Sequence, residues 1–380
     1  MGVLAAILMA TSLLGALYQF LAAYVLHRFT TGPADIGTMQ PPVTILKPVC
    51  GVDAELYANL RSFCEQRYPR FQVVFGVRSA GDPAVPVVRR LMADLPQADL
   101  ELVIDPRVYG SNLKVSNLIN MMPRARHDVI VVTDSDMRVR PYYLDAIVAP
   151  LLRPGVGLVT CLYVGRPIGG IWAQLGAMWI NYTFLPAALV GSLIGTGQGC
   201  FGATLALRRE TLVKLGGFAA LRDQLADDYA LGAAIRGLGL RLAQSRYVVD
   251  TVVDEPDLTS LFRHELRWGR TIRSIAPVGF AFSAVTYPLV TATLTLLVAG
   301  MTGTAALCLA AATASRATLV RMLAARFRID NPGAPLVPVS DLISFIVVVA
   351  SFCGRDVEWR GRRFRIAAGG KLIALREPGR

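Results

Sequence analysis

The chain has 380 residues, 53% of them hydrophobic, and its mean hydropathy of +0.46 is high for a soluble protein. A net charge of +12 would suit nucleic acid, but there is no basic stripe interleaved with aromatic residues, no zinc-finger spacing and no helix-turn-helix pattern. The long apolar segments instead favour a surface that meets anionic membrane lipids, so no nucleic-acid partner is expected. Six scattered cysteines without a Cys-x-x-Cys pair indicate free thiols in a reducing compartment.

The first apolar segment begins the chain. Residues 1–26 carry no charge and are long enough to cross a bilayer as one helix. A signal peptide is the alternative, but it would begin with basic residues and have a shorter apolar core. His27 and Arg28 follow at once, and positive residues prefer the cytoplasmic side of a membrane. We therefore predict a transmembrane helix over residues 1–27 and a cytoplasmic chain from residue 28 onward.

Residues 40–270 alternate short β-branched runs with segments of helical periodicity, which predicts a layered α/β domain with a mostly parallel sheet. The predicted strands are Pro42–Lys47, Phe71–Val77, Leu100–Ile104 and Val129–Val132. The last of these leads into Asp134-Ser135-Asp136. Open α/β sheets bind ligands at the carboxyl ends of their strands, and two carboxylates at this spacing suit a divalent cation held against phosphates. A plain surface turn is the alternative when this motif is taken alone.

Two further polar clusters follow in the same region. Asp227 and Asp228 begin an Ala- and Leu-rich helical stretch, where acids are also common simply as helix caps. The run His264-Glu-Leu-Arg267-Trp268 lies just before the next apolar segment, where arginine and tryptophan are also common as membrane anchors. Each cluster therefore has an ordinary structural explanation when it is considered by itself.

The stretch from Pro167 to Leu207 has no charged residue, yet it lies between the two groups of acids. A single membrane crossing here would put Asp134 and Asp228 on opposite sides of the membrane, and two crossings would leave no room for the glycine-rich loop Gly195–Gly202. We therefore predict an interfacial helix over about 168–190, with aromatic residues at the membrane surface. An ordinary buried core helix is the alternative.

The C-terminal third contains two more apolar segments. An uncharged stretch long enough for two crossings predicts a transmembrane hairpin over 275–315. A third segment, 336–353, contains Asp341 and is either re-entrant or transmembrane, with the re-entrant form favoured. The remaining residues, 354–380, are rich in arginine and are predicted to form a basic cytoplasmic tail.

Several short motifs are far more specific together than alone. They are Leu46-Lys47-Pro48-Val-Cys-Gly51-Val-Asp53, Gly81-Asp82-Pro83-Ala84, Asn112-Leu-Lys114-Val-Ser-Asn117-Leu, Asp134-Ser135, Asp228, the Arg267-Trp268 pair and Trp359-Arg-Gly-Arg-Arg-Phe-Arg365. With them the chain resembles glycosyltransferase family 21, the ceramide glucosyltransferase family, over nearly its whole length. The Arg-Trp pair also resembles the (Gln/Arg)-x-x-Arg-Trp signature of family-2-like enzymes. The run from Asn112 to Asn120 and the His264–Trp268 motif are most similar to the bacterial branch associated with hopanoid biosynthesis.

The resemblance implies a fold and an activity. The fold is of GT-A type, a Rossmann-like nucleotide-sugar-binding α/β domain, with an N-terminal transmembrane helix and C-terminal membrane helices. The implied reaction moves a sugar from UDP-GlcNAc or UDP-glucose to a hydroxyl of a membrane lipid, with inversion at the anomeric carbon. A hopanoid polyol such as bacteriohopanetetrol is the expected acceptor, and ceramide is the alternative. The expected location is the bacterial inner membrane, crossed several times, with the catalytic domain in the cytoplasm.

Two other classes of protein are less favoured. A processive polysaccharide synthase would need a longer membrane channel than one hairpin and one doubtful segment provide. A non-enzymatic lipid carrier would not need acids at three separate strand or helix ends.

The resemblance also assigns roles to single residues. Asp228 is the expected base that takes the proton of the acceptor hydroxyl. Asp134 and Asp136 are the expected ligands of a divalent cation, Mg²⁺ or Mn²⁺. This cation, with Lys114 and Arg267, offsets the charge of the departing diphosphate.

Three remaining positions complete the expected donor site. Asp82 is expected to hydrogen-bond the uracil or the ribose, and Trp268 to pack against the sugar or the acceptor. His264 stands where the signature has Gln or Arg, and it lacks the fixed fork of arginine for phosphate. Arg263 or Arg267 is therefore expected to supply that charge. Asp136 stands where the eukaryotic ceramide enzymes have Gly, which strengthens the metal-binding interpretation.

Overall fold

The computed structural model describes residues 2–32, 37, 39–193, 199–330, 333–359, 362–367 and 370–375. The chain divides into two compact units. The α/β unit consists of Pro33–Val164 and Gln198–Asp254, and the helical unit of Met1–Gly32, Gly165–Gly197 and Glu255–Arg380. The stretch predicted as one domain, 40–270, therefore contributes to both units.

The α/β unit is built on one sheet of eight strands. They are β1 (Val43–Pro48), β2 (Phe71–Val77), β3 (Leu100–Ile104), β4 (Val129–Val132), β5 (Met137–Arg138), β6 (Val156–Pro167), β7 (Leu205–Arg208) and β8 (Arg241–Val253). Their order in the sheet is β3-β2-β1-β4-β7-β6-β8-β5. The first four pair in parallel, whereas β7 runs antiparallel to both β4 and β6. The α/β class is thus confirmed, but the prediction of a mostly parallel sheet was wrong: the sheet is mixed, because the strands beyond β4 pair antiparallel.

Fourteen α-helices are described in the covered ranges. They are α1 (Val3–Thr31), α2 (Leu56–Cys64), α3 (Ala84–Asp94), α4 (Leu113–Met121), α5 (Tyr143–Leu151), α6 (Ile171–Trp179), α7 (Leu185–Leu193), α8 (Arg209–Lys214), α9 (Asp227–Gly237), α10 (Leu258–Ile275), α11 (Pro277–Ala281), α12 (Pro288–Ala299), α13 (Gly303–Phe327) and α14 (Val337–Ser351). Helices α2 to α5, α8 and α9 belong to the α/β unit.

The core of the α/β unit follows from strand alternation. Successive residues of a strand point to opposite faces of the sheet. Ile45 and Val131 therefore pack on one face, and Leu46 and Val132 on the other, all fully buried. A sheet covered on both faces requires near-continuous Val and Ile runs, which is the pattern of these central strands.

The helical unit contains the apolar segments. Helices α1 and α13 are long and apolar enough to cross a membrane, judged by length and composition. The pair Pro277–Thr286 and Pro288–Ala299 is bent by 68° and forms either a broken span or a re-entrant loop. Helix α14 is apolar but shorter. The predicted interfacial segment is helical over α6 and α7, which a π-helical turn at Ile180–Phe184 joins, and these elements pack against α1, α10, α13 and α14.

Helix α13 continues to Phe327, beyond the end of the hairpin predicted at residue 315. The reason is a buried ion pair. Arg316 and Asp341 are 3% and 1% exposed, and two guanidinium nitrogens of Arg316 donate to the two carboxylate oxygens at 3.0 and 2.5 Å. Arg316 also donates to the Tyr182 carbonyl at 2.6 Å and lies 3.4 Å from the side-chain oxygen of Gln19. A charge that is paired inside the bundle need not end a helix at the membrane surface.

The end of α14 is held by arginines of α10. Arg270 donates to the Cys353 carbonyl at 2.6 Å, and Arg273 donates to the carbonyls of Phe352 and Gly354 at 3.2 and 2.7 Å. Helix α14 ends at Ser351, so these carbonyls follow its last residue, and the bonds fix the backbone where the chain leaves the helix.

The predicted basic tail, 354–380, contains a small antiparallel sheet. Its strands are β9 (Asp356–Trp359), β10 (Arg362–Ile366) and β11 (Leu372–Ala374). Residues 360, 361, 368, 369 and 376–380 of the tail lie outside the described residues.

Candidate active site

The Asp134–Asp136 turn follows β4, and a side chain of the neighbouring strand β1 binds its backbone. Lys47 of β1 is 0% exposed, and its ammonium donates to the Asp134 carbonyl oxygen at 2.5 Å. The same ammonium lies 3.7 Å from the centre of the Phe63 ring. Burial lowers the pKa of Lys47 to about 7, although Asp136 and Asp134 oppose this shift. Lys47 thus holds the backbone of the turn in place.

Lys114 meets the other side of Asp134. It lies in the first turn of α4, whose N-terminus is capped by the Asn112 side chain through a bond from the Val115 N–H at 3.1 Å. The Lys114 ammonium is 2.7 Å from Asp134 Oδ1 and 3.5 Å from Asp227 Oδ2. Burial opposes the charged form of Lys114, but Asp134 and Asp227 outweigh it, so the pKa of Lys114 lies above its ordinary value.

Asp136 faces a more confined environment. Its Oδ2 accepts a hydrogen bond from the Thr251 hydroxyl of β8 at 3.1 Å. Burial and the neighbouring Asp134 raise the pKa of Asp136 to about 6, and Lys47 opposes them. The two acids of the turn therefore repel each other, as expected of carboxylates that share a site.

Asp228 is the second residue of α9, and its carboxylate points toward Asp134 and Lys114. Its Oδ2 accepts from the Gly202 N–H at 2.9 Å, and its Oδ1 accepts from the Tyr229 N–H at 2.7 Å. Burial and Asp227 raise the pKa of Asp228 to about 6, against the opposing charge of Lys114. A carboxylate with a pKa near the working pH suits a general base.

Gly202 marks the point where these side chains converge. A Cβ added there would lie 3.2 Å from Asp134 Oδ2, 3.5 Å from Asp228 Oδ2 and 3.5 Å from the Lys114 ammonium. The fold therefore brings together Asp134, Lys114 and Asp228, which are far apart in the sequence, around a position without a side chain.

Asp82 lies at the carboxyl ends of the adjacent strands β1 and β2. Its Oδ1 accepts from the Gly51 N–H at 3.0 Å and from the Ala84 N–H at 2.9 Å. It thereby ties the loop after β1 to the start of α3. Its contact with a uracil or ribose stays a prediction.

The other three predicted residues belong to the helical unit, on α10. His264 Nδ1 is 2.6 Å from Glu255 Oε1, and the His264 ring lies 4.3 Å from that of Trp268. Trp268 in turn lies 4.9 Å from the Trp179 ring, and the Arg267 guanidinium is 5.9 Å from Trp268. These residues form one aromatic and basic cluster.

Two buried ionisable residues of these units receive no functional role from the sequence. One is Lys47; a lysine inside an apolar strand needs a partner, and that is the available signal. The other is Glu265 of α10, whose carboxyl group accepts from the Ser344 hydroxyl at 3.4 Å. Burial raises the pKa of Glu265 to about 8. Glu265 lies within the His264–Trp268 motif, and nothing in the sequence of that motif indicates that this side chain is buried.

The predicted divalent cation needs carboxylates that can coordinate it. Among the described residues, no three His, Cys, Asp or Glu side chains come together as a complete metal site. Mg²⁺ typically uses only one or two protein carboxylates and takes its other ligands from water and substrate phosphates. Asp134 and Asp136 fit that mode of binding. Their negative charges repel each other, and a bound cation would relieve this repulsion.

Comparison with known proteins gives the family. The model described as "Glycosyl transferase family 21" matches residues 7–372. Ceramide glucosyltransferase 1 of Caenorhabditis elegans is 26% identical over 229 residues, which are 60% of this chain and 49% of that protein. Ceramide glucosyltransferase of Candida albicans is 34% identical over 107 residues, 25% of this chain and 20% of that protein. The chain thus spans about half the length, or less, of these relatives.

A solved structure agrees with the fold. A mannosyltransferase from Pyrobaculum calidifontis, in complex with GDP-Man and Mn²⁺, aligns with a TM-score of 0.53 and 25% identity. The alignment covers 92% of this chain and 99% of that one. This confirms the predicted GT-A-type α/β fold, and the family match over nearly all residues confirms the family resemblance. The chain belongs to glycosyl transferase family 21.

Proposed function

We propose that this protein is a membrane-bound, inverting glycosyltransferase that moves a sugar from a UDP-sugar to a hydroxyl of a membrane lipid. The observation that carries the proposal is the convergence of Asp134, Lys114 and Asp228 on Gly202. A cation-binding acid, a phosphate-binding ammonium and a poised base are the parts that such a transfer needs. Family membership and the two membrane-length helices support the same proposal.

Asp228 is the base. Direct displacement at the anomeric carbon requires that the acceptor hydroxyl lose its proton as it attacks. The two backbone N–H groups that bond Asp228 orient its carboxylate, and burial keeps its proton affinity higher than that of an exposed acid. Asp227 is more deeply buried and lies near Lys114 and Asn112, so it positions neighbours rather than the acceptor.

The leaving group is a nucleoside diphosphate, whose charge must be offset as it departs. Asp134 and Asp136 would hold a divalent cation, Mg²⁺ or Mn²⁺, which supplies Lewis-acid stabilisation of the diphosphate when it is bound. Lys114 adds an ammonium on the same side. Asp82, His264, Arg267 and Trp268 remain our proposals for donor and acceptor binding.

UDP-GlcNAc and UDP-glucose are the proposed donors. The proposed acceptor is a hopanoid polyol such as bacteriohopanetetrol, which rests on the similarity of the Asn112–Asn120 and His264–Trp268 motifs. Ceramide is the second candidate, because the curated relatives are named ceramide glucosyltransferases. We place the protein in the bacterial inner membrane as a multi-pass protein, with its α/β unit in the cytoplasm.

Lipid mass spectrometry tests this proposal. A bacterial host that lacks its own glycosylated hopanoids and ceramides would express either the wild-type chain or Asp228→Asn, and would be supplied with both acceptors. We expect one added hexose or N-acetylhexosamine on one acceptor, with the wild-type chain only. Long polymers would favour a processive synthase instead. Absence of any glycolipid, together with no UDP-sugar binding by calorimetry, would favour a carrier protein.

A further inference from the structure

Lysine is rare in this chain and is concentrated around one residue. Lysine and arginine together number 39, and only four of them are lysines: Lys47, Lys114, Lys214 and Lys371. Two of these four contact Asp134, one at its carbonyl and one at its carboxylate. Arginine is a rigid fork that binds a carboxylate in two places, whereas lysine is a compact charge on a flexible stem. The site therefore uses the cation that exchanges partners more easily.

The two lysines are held very differently. Lys47 is fully buried, bonded to a backbone carbonyl and covered by the Phe63 ring, so it has one position. Lys114 is 17% exposed and lies unequally between two carboxylates, at 2.7 Å from Asp134 and 3.5 Å from Asp227. Those carboxylates belong to different elements, the turn after β4 and the start of α9. Lys114 is thus the charge in this site that has room and partners for a second position.

The position of Lys114 conflicts with full occupancy of the site. Its ammonium occupies Asp134 Oδ1, and Asp134 is also a proposed ligand of the divalent cation. Two cations on one carboxylate repel each other at close range. A bound diphosphate removes the conflict, because its oxygens offer the ammonium another strong partner.

We infer that Lys114 is the internal counter-ion of the donor-free site, and that it competes with the divalent cation for Asp134 until a diphosphate draws it away. The inference rests on the proposed function and specifies how that site is filled. The cation binds weakly to the empty site and strongly in the presence of nucleotide, since the nucleotide releases Asp134. By reciprocity, the cation strengthens nucleotide binding by the same factor. The coupling also keeps the cation from occupying a site that has no donor.

Calorimetry on the full-length protein in detergent micelles tests this. MnCl₂ would be titrated into wild-type and Lys114→Met protein, with and without saturating UDP. Without UDP, we expect Lys114→Met to bind Mn²⁺ about tenfold more tightly, the effect of removing a charged hydrogen-bonded competitor. With Mn²⁺ present, the same variant should bind UDP more weakly, and UDP should strengthen Mn²⁺ binding by a smaller factor than in wild type. Lys214→Met, which replaces an exposed lysine of α8, is the matched control and should behave as wild type.

The outcomes separate the inference from the proposed function. Equal or weaker Mn²⁺ binding by Lys114→Met in the absence of UDP overturns the inference, while UDP binding by the wild type still supports the function. No binding of UDP by the wild type, with Mn²⁺ present, overturns the proposed function and the inference with it. If Lys114→Met does not fold, as judged by its thermal melt, Lys114→Gln removes the charge with less loss of polarity and is expected to shift Mn²⁺ binding in the same direction.

Discussion

Arg316 in the helical unit and Lys114 in the α/β unit are both poorly accessible cations, but their partners differ. Arg316 meets both oxygens of a single acid, Asp341, and a backbone carbonyl. Lys114 is divided between two acids, with Asp228 close enough to add a third negative charge. A cation with matched partners joins helices. Where acids outnumber the cation, the excess negative charge can bind a positively charged ligand. The number of acids around each cation therefore distinguishes a structural ion pair from a functional site.

Among changes to these two regions, removal of the proposed base is expected to have the largest effect on activity. We expect Asp228→Asn to lower kcat by about 10²–10⁴-fold, the usual contribution of a general base, because the amide cannot take a proton. Glycolipid formation by the purified enzyme measures this, and UDP binding by calorimetry should be retained. Turnover within a few-fold of wild type would show that another group is the base.

A change to the Arg316–Asp341 ion pair is expected to lower stability rather than catalytic rate. Arg316→Met leaves Asp341 buried without its partner, so we expect the free energy of unfolding to fall by about 3–5 kcal/mol. Thermal melts in micelles measure the loss. Arg321→Met, an exposed position on the same helix, is the control. Adding Asp341→Leu to Arg316→Met should recover much of the stability; a melt of Arg316→Met equal to the control would contradict a structural role.

The acidic residues near Lys114 predict that activity depends on pH. Burial raises the pKa of Asp228 to about 6, and Asp228 must be charged to act as a base. Activity is therefore expected to be level above that pH and to fall about tenfold per pH unit below it. Initial rates between about pH 5 and 8 at saturating donor and Mn²⁺ would measure this limb. A profile that stays flat down to about pH 5 would show that the pKa of Asp228 is not raised in the working enzyme.

The smallest expected effect comes from Gly202. An added methyl group meets Asp134 at 3.2 Å, closer than an ordinary contact, so the acid must shift by a few tenths of an ångström. We expect Gly202→Ala to lower kcat by about tenfold, with little change in melting temperature. Gly237→Ala is the matched control, since no atom lies within 4 Å of the Cβ it would add. Equal activity of the two variants would show that catalysis does not require the absence of a side chain at position 202.

The parallel half of the sheet could be predicted well from the sequence. Strands β2, β3 and β4 begin and end where the β-branched runs do, and β1 is displaced by only one residue. Such strands are buried on both faces, so burial and composition point the same way. The acids that follow them could be found for the same reason, because strand ends are visible in the pattern.

Buried charges could not be predicted, since their partners are distant in sequence. Arg316 looked like the end of a membrane segment because Asp341, which neutralises it, is 25 positions away on another helix. Lys47 looked like part of an ordinary strand, since the Asp134 carbonyl that it bonds is 87 positions away. In both cases the local sequence pattern does not contain the tertiary contact that decides whether a charge can be buried.

The π-helical turn at Ile180–Phe184 has a consequence for how this segment can vary. Each residue of an α-helix turns the chain by about 100°, and a π turn contains one residue more than an α turn. Deleting one residue here would restore a regular helix and keep the buried Leu185 and Leu189 on the same face, because the wider turn takes up the extra residue. It would, however, withdraw the Tyr182 carbonyl from Arg316. The extra residue of this turn therefore serves the contact with Arg316 rather than the packing of the flanking helices.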